Sequence, residues 1–239
     1  MGIGRKRRAV ALLLVATSAS GSAGAASVGE RLARAGNQNG ATACIACHGE
    51  AGGGQAAIGS PYLAGLDRHY LIGQIEAFKT GKRVNPVMRP IADALSPEET
   101  EAVAAYFSGL PLPEQGLGAP GMAAGAVEAR RLMTEGKWQQ AGMPACVSCH
   151  GPGGQGVGTA FPNIAGQPAA YTKAQLEAWR QGQRSSDPNK LMQSVAEKLT
   201  PQEIDSLAAY LSSLSPAAPG TAQPQGRADG DMGGMGGGS

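Results

Sequence analysis

Cys44-Ile45-Ala46-Cys47-His48-Gly49 and Cys146-Val147-Ser148-Cys149-His150-Gly151 decide how this chain is read. In each, two cysteines are separated by two residues and followed directly by a histidine. The chain has four cysteines and these stretches use them all, so none is left for a structural disulfide. Working outward, the flanking residues repeat as well. Pro61, Leu63, Ala64 and Gly65 match Pro162, Ile164, Ala165 and Gly166. Tyr70, Gln74, Glu76, Phe78, Gly81 and Arg83 match Tyr171, Gln175, Glu177, Trp179, Gly182 and Arg184. Met88, Leu95, Pro97, Glu99 and Tyr106 match Met192, Leu199, Pro201, Glu203 and Tyr210. The offset between copies begins at 102, falls to 101 and settles at 104, so only small insertions separate them. This is an internal duplication.

The periodicity within each copy is helical. Leu71, Ile75 and Phe78 share one face, and Tyr171, Leu176 and Trp179 form a looser stripe in the second copy. A later helix opens with Ser96-Pro97-Glu98-Glu99 in one copy and Thr200-Pro201-Gln202-Glu203 in the other. A hydroxyl at the N-cap, proline next and glutamate at the third position satisfy the free N–H groups of a first turn. Val103, Phe107 and Leu110, and likewise Leu207, Leu211 and Leu214, then face inward. A weaker helix precedes each cysteine pair, around Val28 to Ala35 and Ala124 to Glu135. With no sustained period-two alternation, the expected fold is all-α, two tandem domains of one kind.

The N-terminus reads as an address rather than as structure. Arg5, Lys6, Arg7 and Arg8 precede the apolar run Ala9 to Ala16 and the small-residue site Ala23-Gly24-Ala25, the order of a secretory signal peptide. The run is far short of the roughly 20 residues needed to span a bilayer. The expected division is 1–25 signal peptide, 26–108 first domain, 109–123 a linker rich in Pro and Gly, 124–214 second domain and 215–239 a flexible tail. The expected location is the periplasm. The whole chain has 20 basic and 18 acidic residues, but all four basic residues of the first 25 leave with the signal, giving 16 against 18. That balance carries no basic footprint for nucleic acid. Only ten residues are aromatic, thin for two domains of about 90 residues, which are marginal unless a large apolar group completes each core.

C-x-x-C-H supplies such a group, since it is the pattern of c-type haem attachment. The thiols of Cys44 and Cys47, or Cys146 and Cys149, add across the two vinyl groups, and His48 or His150 faces the iron. A thioredoxin-like pair needs a βαβ setting that is missing. A zinc site needs four ligands, and each half clusters only three. The second axial ligand is selected by the duplication: Met88 follows His48 by 40 residues and Met192 follows His150 by 42, whereas none of the six other methionines recurs. Both are expected in loops between helices. Ligation by two histidines fails on number, because His69, read as a solvated helix residue, faces Ala170 in the other copy. The expected cofactors are thus two haem c groups.

With these residues in view, the chain resembles cytochrome c4, the periplasmic di-haem family of tandem class I cytochrome c domains, from about Val28 to Leu214. The resemblance implies one-electron transfer, from a bc1-type complex or other donor to a terminal oxidase. It also implies that the Pro61 and Pro162 carbonyls accept from the proximal histidines, and that the haem propionates meet at the domain interface. Arg83 and Arg184 are read either as cations screening those propionates or as ordinary cations at helix C-termini. Iron held by His and Met has a raised potential and no open position, which favours a carrier over a catalyst. The rival functions are the cytochrome subunit of a periplasmic dehydrogenase and a di-haem peroxidase. No transmembrane segment is expected after signal cleavage, though a membrane-peripheral association fits the same reading.

Overall fold

The structure, a computed structural model, describes residues 21–118 and 125–216. The cationic run and the apolar run of the signal, part of the linker and nearly all of the tail lie outside the described residues. The first half comprises α1 (Gly21–Ala35), α2 (Ile45–His48), α3 (Arg68–Lys79), α4 (Met88–Asp93) and α5 (Pro97–Ser108). The second comprises α6 (Ala126–Thr134), α7 (Trp138–Ala141), α8 (Val147–His150), α9 (Ala169–Arg180), α10 (Leu191–Ala196) and α11 (Pro201–Ser213). Among the described residues only isolated bridges interrupt this all-α pattern.

Both expected capping boxes are present. Ser96 Oγ accepts from Glu99 N while Glu99 accepts from Ser96 N, and Thr200 and Glu203 do the same. These caps fix where α5 and α11 start, and hence which residues they turn inward. In the first half α5 is crossed by α1 and packed by α3; in the second, α11 is packed by α9 and α6. Gly29 makes the first crossing possible, because a Cβ there would lie 2.1 Å from the Ala102 carbonyl oxygen. Leu32, Leu71, Leu95, Val103 and Phe107 fill one core, and Leu132, Leu176, Leu199, Ile204 and Leu207 the other.

The looser stripe on α9 has a physical reason. Leu176 enters the core and Trp179 packs against its edge beneath Arg184, but Tyr171 turns to Arg83 at the domain junction. The described part of the linker is also more than a tether. Leu117 N donates to Gly166 O (3.0 Å) and Gly118 N to Ser212 O (2.8 Å), so the segment leaving the first half lies against the second. Gly65, with φ +70°, makes room for Leu112, and its counterpart Gly166, with φ +74°, makes room for Pro216.

Candidate haem sites and the interface between them

In each half a one-turn helix carries the histidine. Cys44 stands at the N-cap of α2 and Cys146 at that of α8, so the two cysteines of each pair, three residues apart, sit one above the other. The chain then doubles back: Gly54 N donates to His48 O and Gly156 N to His150 O, each at 2.7 Å. Leu63 N bonds to Gly52 O (2.7 Å) and Ile164 N to Gly154 O (2.8 Å), which holds the proline turn against the histidine. His48 Nδ1 is 2.9 Å from Pro61 O, and His150 Nδ1 is 2.8 Å from Pro162 O. A carbonyl can only accept, so the ring proton resides on Nδ1 and Nε2 presents its lone pair. That is the tautomer a metal needs. Both rings are buried, and burial pulls both imidazoles below their ordinary range, with Arg83 adding to the effect at His48.

None of the four cysteines is joined in a disulfide. Burial pushes Cys44 and Cys146 up to about 11. A redox-active pair has the opposite character, a thiol lowered towards or below neutrality. The direction at Cys44 and Cys146 runs against the dithiol reading. No cluster of three or more His, Cys, Asp or Glu side chains that could hold a bare metal ion forms among the described residues.

The two methionines are not in loops, as their spacing suggested. Met88 opens α4, and Met192 lies in the first turn of α10; both are half-buried. The reason is a pair of side chains upstream. Asn85 Oδ1 accepts from Val87 N (2.9 Å) and Met88 N (2.8 Å), and Asp187 Oδ2 accepts from Met192 N (2.8 Å) and Gln193 N (3.2 Å). Each satisfies N–H groups that would otherwise be orphaned, and a short helix starts at Met88 in one half and at Leu191, one residue before Met192, in the other. His69 is exposed, as expected of a solvated residue.

Arg83 and Arg184 are buried at the junction, only 8% and 3% exposed, and pair with one another through an antiparallel backbone bridge. Arg83 reaches Gln74 (3.0 Å) in its own half and Tyr171 OH and Gln175 (both 2.8 Å) in the other. Arg184 reaches Gln175 (2.9 Å) in its own half and Gln74 (2.7 Å) and Tyr70 OH (3.4 Å) across. Every one of these partners is neutral. Burial alone would raise the Tyr171 phenol, yet the two guanidiniums beside it bring it below its ordinary value. Burial, with Arg83 as a second cause, lowers Arg184. Arg184 Nε and Trp179 Nε1 are buried donors without a partner in the structure, and the guanidinium lies 4.0 Å from the centroid of the Trp179 ring. Two buried cations and two unanswered donors fit a group that brings carboxylates of its own, as a haem does.

A second part of this junction carries no mark in the sequence repeat. Tyr62 is fully buried and donates through its hydroxyl to Ala165 O (2.9 Å). Gln167 accepts from Tyr62 N (3.1 Å) and donates to Tyr62 O (3.2 Å). Tyr62 and Gln167 are not repeat counterparts, so the duplication gave no signal for them.

The cytochrome c family model matches residues 33–111 and again residues 133–215. The chain belongs to the cytochrome c family. A thiosulfate dehydrogenase electron acceptor from Stutzerimonas stutzeri is 44% identical over 206 residues, 86% of this chain and 92% of that protein. A cytochrome c4 from Pseudomonas aeruginosa is 38% identical over 176 residues, 73% of this chain and 85% of the other. A solved thiosulfate dehydrogenase from Marichromatium purpuratum superimposes with a TM-score of 0.75 at 42% identity, covering 80% of this chain but only 40% of that longer one. This cytochrome is thus a di-haem electron carrier of the cytochrome c4 kind, with two tandem cytochrome c domains and two haem c groups. No helix among the described residues is long and apolar enough to cross a membrane.

Proposed function

We propose that this cytochrome is exported to the periplasm, loses residues 1–25, and accepts electrons from a dehydrogenase that oxidises thiosulfate, passing them towards a terminal oxidase. The observation carrying the choice of donor is the 44% identity to a protein named for that acceptor role. A bc1-type complex as donor is the reading the wider cytochrome c4 likeness favours, at 38% identity. In the proposed division, 26–108 and 124–214 are the two domains, 109–123 joins them and 215–239 is a tail.

Cys44 and Cys47 in the first domain, and Cys146 and Cys149 in the second, would hold the haems through thioether bonds. His48 with Met88 and His150 with Met192 would be the axial pairs. Each haem, when bound, takes up and gives back one electron at its iron. The protein's share of that work is positional. Pro61 and Pro162 keep each imidazole neutral and aimed, and Met88 and Met192 would complete the ligand sets of the two irons, an arrangement suited to electron transfer rather than turnover. Arg83 and Arg184 offer charge to propionates that would otherwise sit uncompensated in a buried junction.

The test is a reduction assay on the oxidised, exported holoprotein. With thiosulfate and its dehydrogenase present, both haems are expected to show the reduced spectrum at a rate that saturates with dehydrogenase. Reduction by a bc1-type complex alone, with none by the dehydrogenase, would assign the other donor.

A further inference from the structure

The two methionines are tethered unequally. In the first domain Asn85 reaches only three residues ahead to Met88 N, and no residue between them has positive φ. In the second domain Asp187 reaches five residues to Met192 N, because three more residues separate Arg184 from Met192 than separate Arg83 from Met88. The added length is taken up by Asn189 and Lys190, both at φ +55°. They are the only non-glycine residues with positive φ among the described ones. Asparagine adopts that region more readily than lysine, so this loop carries a left-handed backbone cost at two non-glycine residues that the first loop does not. A further cost lies at the tether. Asp187 Oδ1 is buried without a partner, whereas no such orphan occurs at Asn85. Opening the second loop would release the strain and return that oxygen to water; opening the first would release neither.

We propose that Asn85 and Asp187 are positioning residues for the two iron-ligating methionines, and that the strained Asp187–Met192 loop makes the second domain's iron the one that exchanges its methionine for an incoming small ligand. This rests on the reading of Met88 and Met192 as ligands. The exchange breaks the Met192 sulfur–iron bond and forms one from the incoming lone pair, with no change of oxidation state.

The experiment adds imidazole to the oxidised full-length holoprotein and follows the near-infrared band of methionine-to-iron charge transfer. The band is expected to fade in two steps of equal size. In Met88→Ala only the step at low imidazole should remain, and in Met192→Ala only the step at high imidazole. Asp187→Ala should lower the midpoint of the first step by about tenfold, the order expected for two lost backbone hydrogen bonds. Asp187→Asn, which keeps an acceptor oxygen, should restore most of it. Asn189→Gly with Lys190→Gly should raise that midpoint towards the other. The unshifted second step reports in each variant that the first domain remains intact. Coincident midpoints, a weaker first domain, or a midpoint indifferent to Asp187→Ala would overturn the proposal. Absence of the band in the native protein would instead overturn the ligand assignment.

Discussion

Tyr62→Phe removes one oxygen and leaves in place the ring, which belongs to the first domain's core. Tyr62 and Ala165 are both 0% exposed, and the hydroxyl donates to the Ala165 carbonyl at 2.9 Å. Without it the carbonyl stays buried with its donor gone, a loss of about 1–3 kcal/mol. At 1.4 kcal/mol per decade this is roughly a 5- to 150-fold weaker association of the two halves. The assay needs halves that are able to part. A protease site placed within residues 119–124 and cut in the holoprotein leaves every described junction contact in place. The halves of the parent should remain together on dilution, because the Arg83 and Arg184 clusters, the Tyr62–Gln167 pair and the docked segment ending at Gly118 all cross the cut. Sedimentation of the cut protein over a dilution series gives the dissociation constant for parent and variant. Equal constants, or parent halves that separate freely, would mean that the junction contributes nothing that the chain connection does not supply.

Three further outcomes are expected. Mass spectrometry of the exported protein should give the chain without its first 25 or so residues plus two haems, and both haems should survive acid-acetone extraction. Met88→Ala and Met192→Ala should each remove about half of the ferric methionine-to-iron band and lower the potential of one haem, with the double variant losing the whole band. The third outcome concerns acid stability: Lys137 Nζ lies 2.8 and 2.9 Å from the two Glu203 oxygens. Burial opposes ionisation there, but Lys137 and the Thr200 cap bring the carboxyl below its ordinary 4.5. A folded value below the unfolded one gives stability that is present above about pH 4.5 and is lost as pH falls through the folded value. Urea midpoints of the second domain should therefore fall in that acid window, and Glu203→Gln should flatten the fall while costing about 1–2 kcal/mol at neutral pH.

What the sequence discloses and what it hides divide along a physical line. Local chemistry was legible: Ser96 and Glu99, or Thr200 and Glu203, stand within one turn of each other, and nothing distant alters their hydrogen bonds. The same holds for the C-x-x-C-H stretches, whose spacing is itself the geometry. The methionine segments look like loops in the sequence because nothing marks Asn85 and Asp187 as caps until their side chains are seen on the N–H groups ahead. Tyr62 and Gln167 stayed hidden for a different reason. They are 105 residues apart, and nothing in either neighbourhood reveals a partner in the other domain. Gln74 and Gln175 were visible as repeated residues, but a repeat marks a shared position without saying what lies opposite it.

The arginine junction answers itself term by term. Val84 N donates to Gln183 O, and Ser185 N donates to Lys82 O; Arg83 crosses to Gln175, and Arg184 crosses to Gln74. A patch that pairs with its own duplicate in this reciprocal way is the signature of a two-fold homodimer. Here that self-complementary patch lies within a single polypeptide. As long as two identical subunits meet, any substitution appears on both sides of the axis at once, and a contact between unlike residues cannot be tuned at one end alone. Fusion lifts that restriction. Tyr62 and Gln167 use the freedom, since the position matching Tyr62 is Asn163 and Gln167 is answered by Leu66 in the first half. The surviving symmetry and its departures together describe a single chain that keeps the grip of a dimer while its two halves are free to diverge.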